Sequence, residues 1–273
     1  MTGPDIPNSE NYLPQEEIST RNSVLRQVFA EPIDKLVKYL GTNFPKLEAD
    51  HLTETGIALV IAADTWAYFS PDNPILPTAL YTIGSIFDGI DGSYERNKHA
   101  ERDANSEIEG MLKDTRTDKF EELYTFGILS CIARRRGNNF AAICYAVATM
   151  TTVLPSLFRA EAESKGYIVY EGGIGTRQGR GILGGVGIGL NKQQKISNIV
   201  SAAVAVNNII TTKDRREVVQ YGSNASQYRG TVNKLDFMKA AKVRKEKLIP
   251  YAVAGIAVGA ALLAIKPKQL GRI

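Results

Sequence analysis

Four aspartates stand in two pairs. Asp88 and Asp91 are three apart, with Gly92 directly after; Asp114 and Asp118 are four apart, with Gly110 one turn ahead of them. Residues three or four apart share one face of a helix, so each pair points one way. The first pair closes an apolar segment, 75–90, and the second opens the next, 123–133, across a polar loop. Two helices joined in that manner run antiparallel, and their acidic ends meet. Two like charges 4 Å apart repel by roughly 4 kcal/mol at an effective dielectric of 20. Several such pairs would cost more than a domain's net stability of about 5–15 kcal/mol. A bound cation removes that cost. Ligands that are all oxygen select hard ions, which implies Mg2+, Mn2+ or Ca2+, and Mg2+ usually shares its coordination with substrate phosphates. A lone aspartate pair is most often a solvated helix face; the joint pattern is far more specific.

The apolar residues are arranged to supply the helices these aspartates need. The chain has 273 residues, room for one large domain or two small ones. A hydrophobic fraction of 44% and a mean hydropathy of -0.15 are ordinary for a globular protein, so the distribution of apolar residues decides the class. Residues 1–22 are polar, carry Pro4, Pro7 and Pro14, and read as a disordered tail. Residues 23–50 read as an interfacial amphipathic helix, with Val24, Leu25, Val28, Phe29, Leu36, Val37 and Leu40 on one face and a break near Pro32. A membrane domain is expected over 51–215, with apolar segments at 56–70, 75–90, 123–133, 140–158, 181–190 and 196–212. A bilayer core of about 30 Å needs about 20 helical residues, so several segments span only if protein shields their flanking polar turns. The glycine-rich stretch Gly181 to Gly189 lacks a phosphate-loop pattern and suits close helix packing. Residues 216–247 read as a polar connector, and 248–273 as a C-terminal apolar helix and basic tail, with Gly255 and Gly259 at helix-packing spacing. The expected fold class is all-α, a polytopic membrane helix bundle.

A net charge of +4 and a pI of about 8.9 suit an anionic membrane surface or anionic substrates, not a nucleic acid. Cys131 and Cys144 lie in apolar stretches, and His51 and His99 have no ligand spacing, so neither a disulfide framework nor a zinc site is expected. The polar first thirty residues show no cleavable signal peptide.

Written out, the acidic pattern is Asp88-x-x-Asp91-Gly92-x-x-x-Arg96, a gap, then Gly110-x-x-x-Asp114-x-x-x-Asp118. It resembles the motif of the CDP-alcohol phosphatidyltransferase family, D-x-x-D-G-x-x-A-R followed by G-x-x-x-D-x-x-x-D, and the resemblance covers roughly residues 50–215. Glu95 stands where the family has alanine, and the spacer from Arg96 to Gly110 is longer by about one helical turn. The resemblance implies six core transmembrane helices, with the motif on the second and third. It implies transfer of a phosphatidyl-type group from a CDP-linked lipid to an alcohol, with release of CMP, in phospholipid biosynthesis. Carried over by position, Asp88, Asp91, Asp114 and Asp118 hold Mg2+ or Mn2+, and Asp118 is also the general base on the acceptor hydroxyl. Gly92, Gly110 and Arg96 serve the nucleotide and its phosphates. Family members often pair, which makes a homodimer one expectation.

Arg159-Ala160-Glu161-Ala162-Glu163, and Arg177 with Arg180, resemble the arginine stretches of members that use inositol phosphate. Arginine forks suit a phosphate dianion, so Arg159, Arg177 and Arg180 are candidates for a polyol-phosphate acceptor. Glu161 replaces the second arginine of the first stretch, and Asp118-Lys119 is closer to users of glycerol phosphate. The alternative is that these arginines only mark cytoplasmic helix ends. The basic residues Arg96, Lys98, Arg102, Lys113, Arg159, Lys165, Arg177, Arg180, Lys213, Arg215 and Arg216 place the active site on the cytoplasmic face of an integral membrane protein. Arg134, Arg135, Arg136, Lys192 and Lys195 lie on the opposite face, and the arginine triplet has no role legible in the sequence. Two other readings stay open: a non-catalytic membrane scaffold of the same fold, and a Mg2+-dependent intramembrane prenyltransferase.

Overall fold

The computed structural model describes residues 24–44, 47–98, 104–169, 177–221, 226–227 and 234–264. Nine helices make up nearly all of them: α1 (Val24–Asn43), α2 (Ala49–Phe69), α3 (Ile75–Lys98), α4 (Ala104–Arg135), α5 (Asn139–Thr151), α6 (Leu154–Ser164), α7 (Arg177–Gly189), α8 (Gln194–Tyr221) and α9 (Lys234–Ala264). The only strands among the described residues are β1 (Tyr167–Ile168) and β2 (Ser226–Gln227), which pair antiparallel. The fold is thus all-helical, as its apolar periodicity implies.

Local chemistry ends and starts these helices. Gly137 (φ 71°) takes the left-handed conformation that closes α4, and Asn138 Oδ1 accepts from the Ala141 amide at 3.2 Å to start α5. Pro155 sits in the first turn of α6, where its missing N–H costs nothing, and Gly166 (φ 82°) follows that helix.

Small residues set the packing. Gly56 on α2 lies against Gly84 on α3, where an added Cβ would meet backbone oxygen at 2.9 Å or 2.6 Å. The glycines of α7 make room for bulk: Gly184 and Gly185 accept the Tyr81 ring, and Gly187 accepts Leu129 and Tyr145. The expectation of close packing for that stretch holds. Gly255 and Gly259 of α9 press on the Thr149 and Ala146 carbonyls of α5, as their spacing suggests. Between these contacts lies a core of Val60, Tyr81, Phe126, Leu129, Ile132, Tyr145, Ile188 and Val204.

The arginine triplet now has a role. Arg135 Nη1 donates to the Tyr68 carbonyl at 2.7 Å and its guanidinium lies 5.0 Å from that ring's centre. Arg136 Nη2 donates to the Pro71 carbonyl at 2.7 Å and to Asp72 at 2.9 Å. The end of α4 therefore caps the carbonyls left over at the end of α2, and Lys192 also approaches Asp72.

Three expectations need correction. The helix expected over 23–50 is two elements, because α1 ends at Asn43 and α2 begins at Ala49. Pro32 does not break α1; the helix continues through it, forgoing the one backbone bond that proline cannot donate. The polar connector 216–247 is helical at both ends, with α8 reaching Tyr221 and α9 beginning at Lys234. Polarity there reflects a helix whose charged side chains pair with α6, as described below.

Among the described residues, two helical stretches, Asn139–Ser164 and Met238–Ala264, are long and apolar enough to cross a membrane. The helices of the other apolar segments carry charge inside them, such as Asp64 in α2 and Asp118, Lys119 and Glu122 in α4. Large apolar side chains also stand on the periphery, among them Phe69 (68% exposed), Ile75 (79%), Ile199 (69%) and Val253 (61%).

Candidate functional site

Helix α2 relates the aspartates to one another. Thr53 Oγ1 donates to Asp91 Oδ2 at 2.5 Å. One turn on, Gly56 lies against Asp88: a Cβ there would stand 3.2 Å from the Asp88 amide nitrogen. On its α4 side, Thr125 Oγ1 donates to Asp64 Oδ2 at 2.7 Å, and Thr65 Oγ1 and Tyr124 OH share a hydrogen bond of 2.8 Å. The contacts of Arg135 and Arg136 continue in the same direction, so α2 and α4 run parallel and α3 is antiparallel to both. Carried seven residues back, the pairing of Asp64 with Thr125 sets Asp118 near the level of Ile57, and carried eleven back it sets Asp114 near that of Thr53. The aspartate positions thus span about 6 Å of helix rise along α2.

Their facing follows from the same geometry. Tyr81 on α3 and Thr125 on α4 meet beside Gly184. Seven residues make about two helical turns, so Asp88 shares Tyr81's face of α3 and Asp118 shares Thr125's face of α4. In antiparallel helices both steps lead to the same end, so Asp88 and Asp118 lie at one end of the bundle. Asp88 and Asp91 are half-buried, and Asp118 is buried at 9% exposure. Gly92 and Arg96 lie in α3, Gly110 and Asp114 in α4, and Arg177 opens α7; their side chains, like that of Glu95, lie outside the described residues.

Among the described residues, no three His, Cys, Asp or Glu side chains gather closely enough to hold a metal ion. Carboxylate oxygens suit a hard cation in kind, but Asp88, Asp91 and Asp118 are not gathered into a ligand set.

Beside Asp118 lies a buried charge cluster. Glu122 accepts from Lys119 Nζ at 2.7 Å, from Arg180 Nε at 2.8 Å and from Thr152 Oγ1 at 2.6 Å. Glu122 precedes the apolar segment 123–133. Burial works to raise its carboxyl, but Arg180 and Lys119 outweigh that and hold it at about 2. Arg180, a candidate phosphate ligand, is therefore also the clamp between α7 and α4. Arg159 donates from Nε to Glu163 Oε1 at 2.7 Å, and Arg244 of α9 pairs with the other oxygen of the same carboxylate. Lys245 pairs with Glu161, which Lys165 also approaches.

Sequence reasoning passed over Thr53, Glu122, Arg244 and Lys245. The three-residue spacing of Lys119 and Glu122 was a signal for one of them; the others depend on contacts between distant helices. An open apolar groove of about 690 Å³ runs along α2, lined by Ala58, Ile61, Ala62, Thr65, Trp66, Phe69 and Ser70. It lies away from the charged cluster, but its Ala58 end is one residue from the level of Asp118.

Compared with known proteins, the chain matches no family model, no curated protein and no solved structure.

Proposed function

We propose that this chain is a membrane-embedded transferase that moves a phosphatidyl-type group from a CDP-linked lipid to a small phosphorylated polyol and releases CMP. The observation that carries the reading is the motif from Asp88 to Asp118 lying at one end of two antiparallel helices that both contact α2. In this reading the bundle has six core spans, α1 lies at the membrane surface, α9 is an extra helix, and the site opens to the cytoplasm. The exposed apolar side chains on the periphery, among them Phe69, Ile75, Ile199 and Val253, support contact with lipid. The groove along α2 suits a hydrocarbon tail, and it ends where the reacting headgroup is needed.

Asp88, Asp91, Asp114 and Asp118 would hold Mg2+ or Mn2+, whose charge neutralises the pyrophosphate and stabilises departing CMP. Asp118 accepts the proton of the acceptor hydroxyl. That oxygen then attacks the phosphorus next to the lipid, and the bond to the CMP oxygen breaks. Gly92 and Gly110 leave room for the nucleotide, and Arg96 contacts its phosphates. Arg159, Arg177 and Arg180 receive the acceptor's phosphate. Thr53, by donating to Asp91, fixes the direction of that carboxylate.

The test is CMP release by the purified chain in lipid–detergent micelles. It uses CDP-diacylglycerol, Mg2+ or Mn2+, and a panel of inositol phosphate, glycerol 3-phosphate, inositol and glycerol. Release that needs the metal and a phosphorylated acceptor is the expected result. The lack of a closed ligand set among the described residues favours a second reading, a non-catalytic scaffold, which no release with any acceptor supports. Release of pyrophosphate from a prenyl diphosphate, without CMP release, points to an intramembrane prenyltransferase.

A further inference from the structure

We propose that α9, the helix outside the six-span core, completes the acceptor-phosphate site through Arg244 and Lys245; this rests on the reading above. Helix α6 presents Arg159 and, just after it, Lys165, against Glu161 and Glu163. By themselves these four charges sum to zero, a poor lure for a phosphate dianion. α9 changes the sum. Arg244 pairs with Glu163 and Lys245 pairs with Glu161, so the six groups together carry a formal charge of +2. Glu163 is held from both sides, by Arg159 Nε at 2.7 Å on one oxygen and by Arg244 on the other. A carboxylate fixed in this way fixes the plane of the Arg159 guanidinium, which presents its fork in one direction.

The placement of α9 is built in. Gly255 and Gly259 seat it against α5, and Leu248 and Ala252 pack with Val153 and Ala160. The charged pair lies one turn before Leu248, where α9 passes the end of α6. Arg244 (9% side-chain exposure) and Glu163 (5%) are buried, whereas Lys245 (35%) is half-exposed. Arg244 and Lys245 are positioning residues, acting on the phosphate through Glu163, Glu161 and Arg159. The ligand class is a phosphate monoester with a free hydroxyl, not a neutral alcohol.

The test has a binding arm and a turnover arm, both on the full-length chain. Inorganic phosphate and glycerol 3-phosphate are titrated while thermal unfolding is followed, with glycerol as control. Wild type should be stabilised saturably by both phosphates and not by glycerol. Lys245→Gln should raise the half-saturating concentration about ten-fold, equivalent to about 1.4 kcal/mol. Arg244→Gln should raise it further, and Arg244→Lys should recover part of the loss. In turnover, the same variants should raise KM for the phosphorylated acceptor and leave KM for the CDP-lipid unchanged. Lys245→Gln, at a half-exposed position, decides the matter if Arg244→Gln does not fold. Equal phosphate affinity in Lys245→Gln and wild type, or no stabilisation of wild type by either phosphate, overturns the proposal. Phosphate binding that depends on both residues, in a chain releasing no CMP, supports the site and refutes the transferase reading.

Discussion

Replacing Glu122 by glutamine should destabilise the protein severely while keeping its shape. The carboxylate serves two cations, Lys119 (3% exposed) and Arg180 (4%), and takes a third hydrogen bond from Thr152. Glutamine keeps one acceptor oxygen but brings no charge, so both buried cations lose the counter-ion that they share. Breaking a buried pair from one side typically costs about 3–5 kcal/mol. At about 2–4 °C per kcal/mol, the melting temperature should drop by roughly 6–20 °C. The assay is circular dichroism melting of purified protein in one detergent across a range of pH. Because the native carboxyl titrates below its unfolded value, its contribution is complete above about pH 4.5 and is lost as pH falls toward about 2. Wild type should therefore weaken over that interval, and Glu122→Gln should lack this component. A variant melting within about 2 °C of wild type at neutral pH refutes the view that Glu122 anchors α4 to α7.

Other outcomes follow from the same contacts. Asp118→Asn should lower CMP release by at least about 100-fold, the usual effect of losing a general base, yet keep CDP-lipid binding measurable by equilibrium titration; full turnover would remove Asp118 from that role. Asp91→Asn should weaken metal binding as well, seen as a higher Mg2+ requirement, while a wild-type Mg2+ response would exclude it as a ligand. Gly84→Ala puts a methyl on the Gly56 carbonyl, so α2 and α3 must separate beside Asp88; about 1–3 kcal/mol of stability should go, with most of the activity, in parallel melting and CMP assays. Gly259→Leu places its side chain on Met150 and the Ala146 carbonyl and should unseat α9, seen as a lower melting temperature in the same detergent.

Helix positions, and the candidate chemistry along them, can be read from residue order alone. Apolar runs with period 3.6 specify helices wherever they are buried, because the pattern and the hydrogen-bonding need are both local. The aspartate pairs were legible for the same reason: three- and four-residue spacings are read along a single helix. The glycines of α7 and α9 were also legible as packing positions, since a missing side chain admits a close neighbour whichever neighbour arrives.

Which groups meet across helices is set by how the helices pack. No pattern in α2 announces that Thr53 will hold Asp91, because that bond joins residues 38 apart. The arginine triplet looked like a stray basic patch until the end of α2 came within reach of it. Residues 216–247 looked like a connector because polarity was read as solvation. Arg244 and Lys245 are polar because α6 offers them two carboxylates, and a charge's partner is set by packing between helices rather than by its place along one.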